Sequence, residues 1–175
     1  MVFCYVILNK KHLRDLLKWL KPFYLGCESE IVLFASMQVR PTKEQKIQIL
    51  NRKDLYPIMR RILIRQGKIR ARQEYLWIVG LQTNNTIDFI ELLNIGTLNS
   101  IQLLPRELFR IAVIKNVDKV ILVHNHPSGS LIPSRADKSF TASQKTAGEL
   151  LGVRIVDHLI ISDKGYFSFL EKNLI

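Results

Sequence analysis

The chain is organised around the stretch HNHPSGSLIPSRAD, residues 124–137, which holds two histidines, a turn sequence and a serine followed three residues later by an aspartate. Upstream of it, the run 118–123 is short, apolar on both faces and rich in β-branched residues, which predicts a buried strand. Because side chains alternate along a strand, His124 and His126 are expected to point to the same face. One ion can therefore bind both imidazoles.

After the histidines, Pro127 ends the strand, and residues 127–130 have the composition of a turn. A helix is predicted from Ser134 to Leu151, with Ser134 as its N-cap and Asp137 near the capping-box position. Two interpretations of Asp137 compete. It is a helix cap only, as such strings commonly are, or it is an oxygen ligand beside the histidines. Two imidazoles and one carboxylate leave a tetrahedral zinc with an open position for water, as in catalytic zinc sites.

The pattern His124-x-His126, seven residues, Ser134, two residues, Asp137 resembles the signature of the JAMM (MPN-plus) metalloproteases. The wider sequence is similar to the RadC family of JAMM-domain proteins over residues 38–175, most specifically at 105–109, 124–129, 133–137 and 157–161. This resemblance implies the JAMM/MPN fold of the α/β (α+β) class. In that fold a mixed β-sheet is flanked by helices in a three-layer architecture like that of cytidine deaminases.

The resemblance also implies a site and a reaction. His124, His126 and Asp137 are expected to bind one Zn²⁺ per chain, and Ser134 to donate a hydrogen bond to the oxyanion formed on the scissile carbonyl. A peptide or isopeptide bond of a peptide or protein substrate is the expected target. His158, in a predicted strand, is expected to be a structural residue or to support the ligands rather than bind the metal, which already has three protein ligands.

A zinc site that activates water needs a nearby carboxylate to accept a proton. Periodicity does not choose among the candidates, which are Glu74, Glu91, Glu107 and Glu149. In the JAMM pattern, the catalytic glutamate directly precedes an apolar strand, as Glu74 does here. The alternative for Glu74 is a solvated carboxylate that neutralises Arg70 or Arg72. For Glu107, in the first turn of a predicted helix, a favourable interaction with the helix dipole is the preferred interpretation.

The remaining sequence predicts the scaffold. A hairpin is expected from strands 75–81 and 87–95 joined by a turn at Asn84-Asn85. Further elements are predicted at 13–20 (helix), 54–66 (helix), 105–116 (helix), 154–161 (strand) and 166–169 (strand). We divide the chain into an unassigned N-terminal extension (1–37), a basic helical lead-in (38–73) and a RadC-like JAMM/MPN metalloprotease domain (74–175). Met37 stands where the resemblance begins, which suggests that the true start lies there.

Composition narrows the class of protein. The 47% hydrophobic and 23% charged residues are typical of a globular domain. Only 2 cysteines occur, without Cys-x-x-Cys spacing, so a disulfide framework and a thiolate zinc site are not supported, and a cytoplasmic setting is predicted. The apolar start of the chain is too short for a signal peptide or a membrane span, and no membrane association is predicted.

The uneven distribution of basic residues along the chain suggests alternatives to a hydrolase. Residues 1–73 hold 16 lysines and arginines against 5 acidic residues, whereas residues 74–175 hold 10 of each. A basic segment at residues 60–72 can contact nucleic acid, as a DNA-repair-associated protein would, or can simply be a solvated helix face. A non-catalytic MPN interaction module is the other alternative, and a homodimer stays open.

Cytidine-deaminase chemistry is not supported, because His-x-Glu and Pro-Cys-x-x-Cys are both absent from the sequence. The string His-Asn-His at residues 124–126 is weak evidence for an HNH nuclease, because the named residues of that class are dispersed over a ββα-metal motif and are not consecutive.

Overall fold

The computed structural model describes residues 37–39, 48–65, 73–96 and 103–175. Within these ranges the chain forms β1 (Met37–Val39), α1 (Arg52–Arg65), β2 (Glu74–Leu81), β3 (Ile87–Gly96), α2 (Pro105–Ile114), β4 (Lys119–Asn125), α3 (Arg135–Leu150), β5 (Arg154–Ile161) and β6 (Tyr166–Ser168). The helix predicted at 13–20 and most of the basic segment 60–72 lie outside the described residues.

The strands form one mixed sheet in the order β1-β3-β2-β4-β5-β6. The predicted hairpin is confirmed: β2 and β3 pair antiparallel, and Asn85 has the positive φ of 63° that tight hairpin turns favour. Between β4 and β5 the pairing is parallel, and α3 makes the crossover connection that parallel neighbours require. Thus the histidines at the end of β4 are followed directly by the loop and helix that carry Asp137.

Helices cover both faces of the sheet, as the three-layer prediction requires. On one face, α1 packs through Leu55, Ile58, Met59 and Ile62 onto the odd-numbered residues of β2. On the other face, α2 and the partly buried apolar residues of α3 pack onto Leu76 and Ile78. The apolar runs of the strands are therefore buried on both sides, and the predicted α+β fold with a mixed sheet is confirmed. His124 lies two residues after Leu122 in β4, so its side chain points to the same face of the sheet, the one covered by α2 and α3.

Two helix boundaries differ from the sequence prediction by two residues. The helix α1 begins at Arg52, because the carboxylate of Asp54 accepts hydrogen bonds from Leu50 N and Asn51 N, both 3.0 Å long. The helix α2 ends at Ile114, shortly before Asn116, which takes a left-handed φ of 53°. A left-handed residue ends a helix because it turns the chain away from the helix axis.

The buried carboxylate of Asp157 links strands β5 and β6 to α1 through hydrogen bonds. Its Oδ2 accepts hydrogen bonds from Arg52 Nε (2.5 Å) and Ser168 Oγ (2.6 Å), and its Oδ1 accepts one from Leu170 N (3.0 Å). The side chain of Asp157 is 0% exposed and that of Arg52 is 17% exposed. One carboxylate therefore connects α1, β5, β6 and the C-terminal turn.

We predict that Asp157→Asn lowers the free energy of unfolding by about 3 kcal/mol. The amide keeps the shape of the side chain but leaves the partly buried Arg52 without its counter-charge, and removing one partner of a largely buried ion pair is costly. Urea unfolding monitored by circular dichroism measures the change. Asp163→Asn makes the same substitution at an exposed turn residue and should stay within about 0.5 kcal/mol of the wild type. Equal stability of both variants would contradict this role of Asp157.

No helix in the described part of the chain is both long and apolar enough to cross a membrane. The cytoplasmic setting, the domain boundaries and the homodimer stay predictions.

Candidate metal centre

The antiparallel register of β2 and β4 brings residues from distant parts of the chain to one end of the sheet. Leu76 is paired with His124. Glu74 lies two residues before Leu76, and His126 lies two residues after His124, so both are at the same end of the sheet. The period of two along a strand turns Glu74 toward the face that carries the histidines.

Four side chains meet there. Each of Glu74, His124, His126 and Asp137 offers one donor atom, and these atoms all lie within 4.8 Å of one another. His126 Nε2 is 3.1 Å from His124 Nε2 and 3.2 Å from Asp137 Oδ2, and His124 Nε2 is 3.4 Å from Asp137 Oδ1. Ligand atoms at zinc distances and tetrahedral angles are separated by about 3.4 Å. The two imidazoles and the carboxylate therefore have the spacing of three ligands around one ion.

The hydrogen bonds around His126 indicate that this cluster favours a positively charged ion. His126 Nδ1 lies 2.9 Å from the carbonyl oxygen of Ser130, which can only accept, so Nδ1 carries a proton. In the neutral ring Nε2 then has a lone pair that faces Asp137 Oδ2, another acceptor. Two facing acceptors repel each other unless a proton or a metal cation lies between them. The donor set therefore fits a divalent cation.

Burial and charge agree with this arrangement. Burial by itself would raise the pKa of Asp137, but hydrogen bonds with His124 and His126 hold that pKa well below its ordinary value. The hydrogen bond with Asp137 raises the pKa of His126, against the opposing effect of burial. Asp137 is thus a carboxylate at neutral pH, and the cluster is negatively charged when both rings are neutral.

Asp137 also caps the helix on which it stands. Its Oδ2 accepts a hydrogen bond from Ser134 N (2.7 Å), and Ser134 Oγ accepts one from Asp137 N (3.1 Å). The capping prediction is confirmed, and the same carboxylate faces both histidines. Hence the two interpretations of Asp137 do not exclude each other. Ser134 Oγ keeps its own proton after accepting from the backbone, and the residue is exposed.

The other candidate bases have different surroundings. Glu91 Oε1 lies 3.4 Å from Arg110 Nη2, and Glu107 Oε2 accepts a hydrogen bond from Leu104 N (3.2 Å) at the start of α2. Glu149 is exposed near the end of α3. Among the described residues, Glu74 is the one of these four carboxylates that joins the histidines.

Sequence reasoning assigned no function to Asn125, which the structure places against the backbone on both sides of Glu74. Asn125 Oδ1 accepts a hydrogen bond from Tyr75 N (2.9 Å), and its Nδ2 donates to Gln73 O (3.1 Å). The amide therefore holds the start of β2 in place.

The role expected for His158 agrees with its position. Its Nε2 lies 2.8 Å from Nδ1 of His124, on the side of that ring away from the cluster. Burial lowers the pKa of His158 well below its ordinary value, so the ring is neutral. His158 therefore contacts a member of the cluster without being one.

Comparison with known proteins gives consistent matches. The sequence model of the RadC-like JAB domain matches residues 49–174. A UPF0758 protein of Chlorobaculum parvum is 36% identical over 139 residues, which is 79% of this chain and 60% of that protein. A UPF0758 protein of Clostridioides difficile is 44% identical over 104 residues, or 59% of this chain and 44% of that protein. The chain thus spans about half the length of these curated relatives.

Proposed function

We propose that this chain, which belongs to the RadC-like JAB domain family, is a zinc-dependent hydrolase that cleaves a peptide or isopeptide bond. The observation that carries the proposal is the convergence of Glu74, His124, His126 and Asp137 within 4.8 Å. Imidazole and carboxylate ligands suit zinc, and three protein ligands are the usual number in a catalytic zinc site. His124, His126 and Asp137 supply those three ligands in the proposed site.

In the proposed reaction, the metal and each residue around its ligands have a separate role. A bound Zn²⁺ supplies a Lewis acid and lowers the pKa of water to about 7. Glu74 accepts a proton from the attacking water and returns it to the nitrogen of the leaving amine. The hydroxyl of Ser134 donates a hydrogen bond to the oxygen of the scissile carbonyl as negative charge develops on it. The amide of Asn125 keeps the backbone around Glu74 in position for the proton transfer.

We predict about one zinc per chain in the purified protein and its loss in the double variant His124→Ala/His126→Ala. Removing both imidazoles leaves a carboxylate with too few partners to hold the ion. Elemental analysis by mass spectrometry after dialysis measures the content. Glu149→Gln, a change at an exposed position of α3, is the control and should keep its zinc. Full zinc content in the double variant would contradict the ligand assignment.

The reaction class is tested with peptides and with DNA in parallel. A library of linear peptides and lysine-linked isopeptides is incubated with the protein, and cleavage is followed by mass spectrometry before chelation, after chelation and after zinc is returned. Cleavage that follows the zinc content supports the proposal. A salt-sensitive gel shift with duplex DNA, without cleavage of either peptide class, would favour the nucleic-acid-binding or interaction-module alternative.

A further inference from the structure

We propose that His158 and Thr141 are positioning residues that hold His124 in the tautomer whose Nε2 lone pair faces the metal site. This inference rests on the proposed function, because it assigns a purpose to contacts behind a proposed ligand. Ligating histidines commonly donate their second ring N–H to a carboxylate, a carbonyl or water. Here the acceptor behind His124 is a second buried imidazole.

The direction of each hydrogen bond follows from Thr141. Its Oγ1 lies 2.6 Å from the carbonyl oxygen of Asp137 and 2.7 Å from Nδ1 of His158. A carbonyl oxygen can only accept, so the hydroxyl proton of Thr141 points to Asp137. The hydroxyl oxygen is then the acceptor for His158, and Nδ1 of His158 must carry a proton.

The same reasoning continues from His158 to His124. A neutral imidazole has one N–H and one lone pair, so Nε2 of His158 accepts. The distance of 2.8 Å between His158 Nε2 and His124 Nδ1 makes Nδ1–H of His124 the donor. The remaining nitrogen of His124, Nε2, therefore has no proton, and it is the atom that lies 3.1 Å from His126 Nε2 and 3.4 Å from Asp137 Oδ1.

Burial and packing keep the imidazole of His158 uncharged and in a fixed orientation. The residue is 0% exposed, and its ring stacks on Phe169 with centroids 4.8 Å apart and planes at 20°. Its two nitrogens face the His124 ring and the Thr141 hydroxyl, so a positive charge on His158 would be buried without a hydrogen-bonded carboxylate, which is costly. As a neutral ring, His158 has both nitrogens satisfied.

The chain of hydrogen bonds begins and ends at proposed ligands. Thr141 stands one helical turn after Asp137 in α3 and binds its backbone, whereas His158 comes from β5 and binds the side chain of His124 in β4. The contacts therefore couple the helix that carries the carboxylate to the strand that carries the imidazole. Loss of the hydroxyl would free His158, and then His124, to adopt the other tautomer, in which a proton on Nε2 blocks a cation.

The test compares Thr141→Val, which removes the hydroxyl from a side chain of nearly the same shape, with Thr141→Ser, which keeps it. We expect Thr141→Val to weaken Zn²⁺ binding by about 10–100-fold, measured by competition with a chelator of known affinity, and Thr141→Ser to bind as the wild type does. Long-range ¹H–¹⁵N spectra of the metal-free protein report the tautomers directly, and only 4 histidines need assignment. The wild type should show Nδ1–H at both His124 and His158.

Two results would overturn the inference. One is an Nε2–H tautomer of His124 in the metal-free wild type, a reading that needs no variant and so does not depend on how Thr141→Val folds. The other is Thr141→Val with unchanged Zn²⁺ affinity. If the wild type shows the expected tautomers and binds zinc but cleaves no peptide, the hydrolase proposal fails and the positioning of His124 stands.

Discussion

Replacing Glu74 with glutamine is expected to lower kcat/KM for peptide hydrolysis by about 10²–10⁴-fold, with zinc content still about one per chain. Glutamine matches glutamate in shape, but its amide cannot accept a proton from water at neutral pH. The rate is measured on the best substrate from the peptide library, and the metal by elemental analysis of the same sample. Glu149→Gln, the same substitution on the exposed surface of α3, should leave both readings unchanged.

The pairing of the two measurements separates the roles open to Glu74. Hydrolysis at the wild-type rate would refute its assignment as the base. Loss of zinc together with activity would instead make Glu74 a fourth ligand, and four protein ligands are typical of structural zinc sites rather than catalytic ones. Glu74 is close enough for either role, because its donor atom lies within 4.8 Å of the three others.

Ser134→Ala is expected to lower kcat by about 10²–10³-fold, because it removes a hydrogen-bond donor to the developing oxyanion. The same variant should lower the free energy of unfolding by about 1 kcal/mol, since Ser134 Oγ accepts the capping hydrogen bond from Asp137 N. Kinetics on the peptide substrate and urea unfolding measure the two effects separately.

Ser134→Gly separates the two tasks of this serine. Glycine is tolerated at the N-cap with a cost of only a few tenths of a kcal/mol, yet it has no hydroxyl. We therefore expect a variant with nearly wild-type stability and the low rate of Ser134→Ala. Wild-type activity in Ser134→Gly would show that the alanine variant suffers from a damaged helix start, and the oxyanion role would be wrong.

Local sequence was sufficient to predict the elements on either side of residues 126–134. A β-branched apolar run predicted β4, and the Ser134-to-Asp137 spacing predicted the start of α3, because strand burial and helix capping depend on residues close together in the chain. Both are confirmed, with α3 covering Arg135–Leu150. The start of α1 and the end of α2 were less well predicted, since they depend on two hydrogen bonds to Asp54 and on the backbone angle of Asn116, which periodicity does not report.

The identity of the fourth member of the cluster depended on more than local sequence. Periodicity left four glutamates equal, and the family resemblance selected Glu74. The structure gives the physical reason in the antiparallel register that pairs Leu76 with His124. A shift of that register by one residue would turn Glu74 to the opposite face of the sheet.

Side-chain direction repeats with the period of each element, so local sequence alone predicts that His124 and His126 share a face and that Asp137 follows in the first turn of a helix. The convergence of these side chains at 3.1–3.4 Å, with Thr141 and His158 behind them, is seen only in the folded structure. Those contacts join α3, β4 and β5 across the parallel crossover. Distances between separate elements are set by how the sheet and helices pack, which no short stretch of residues encodes.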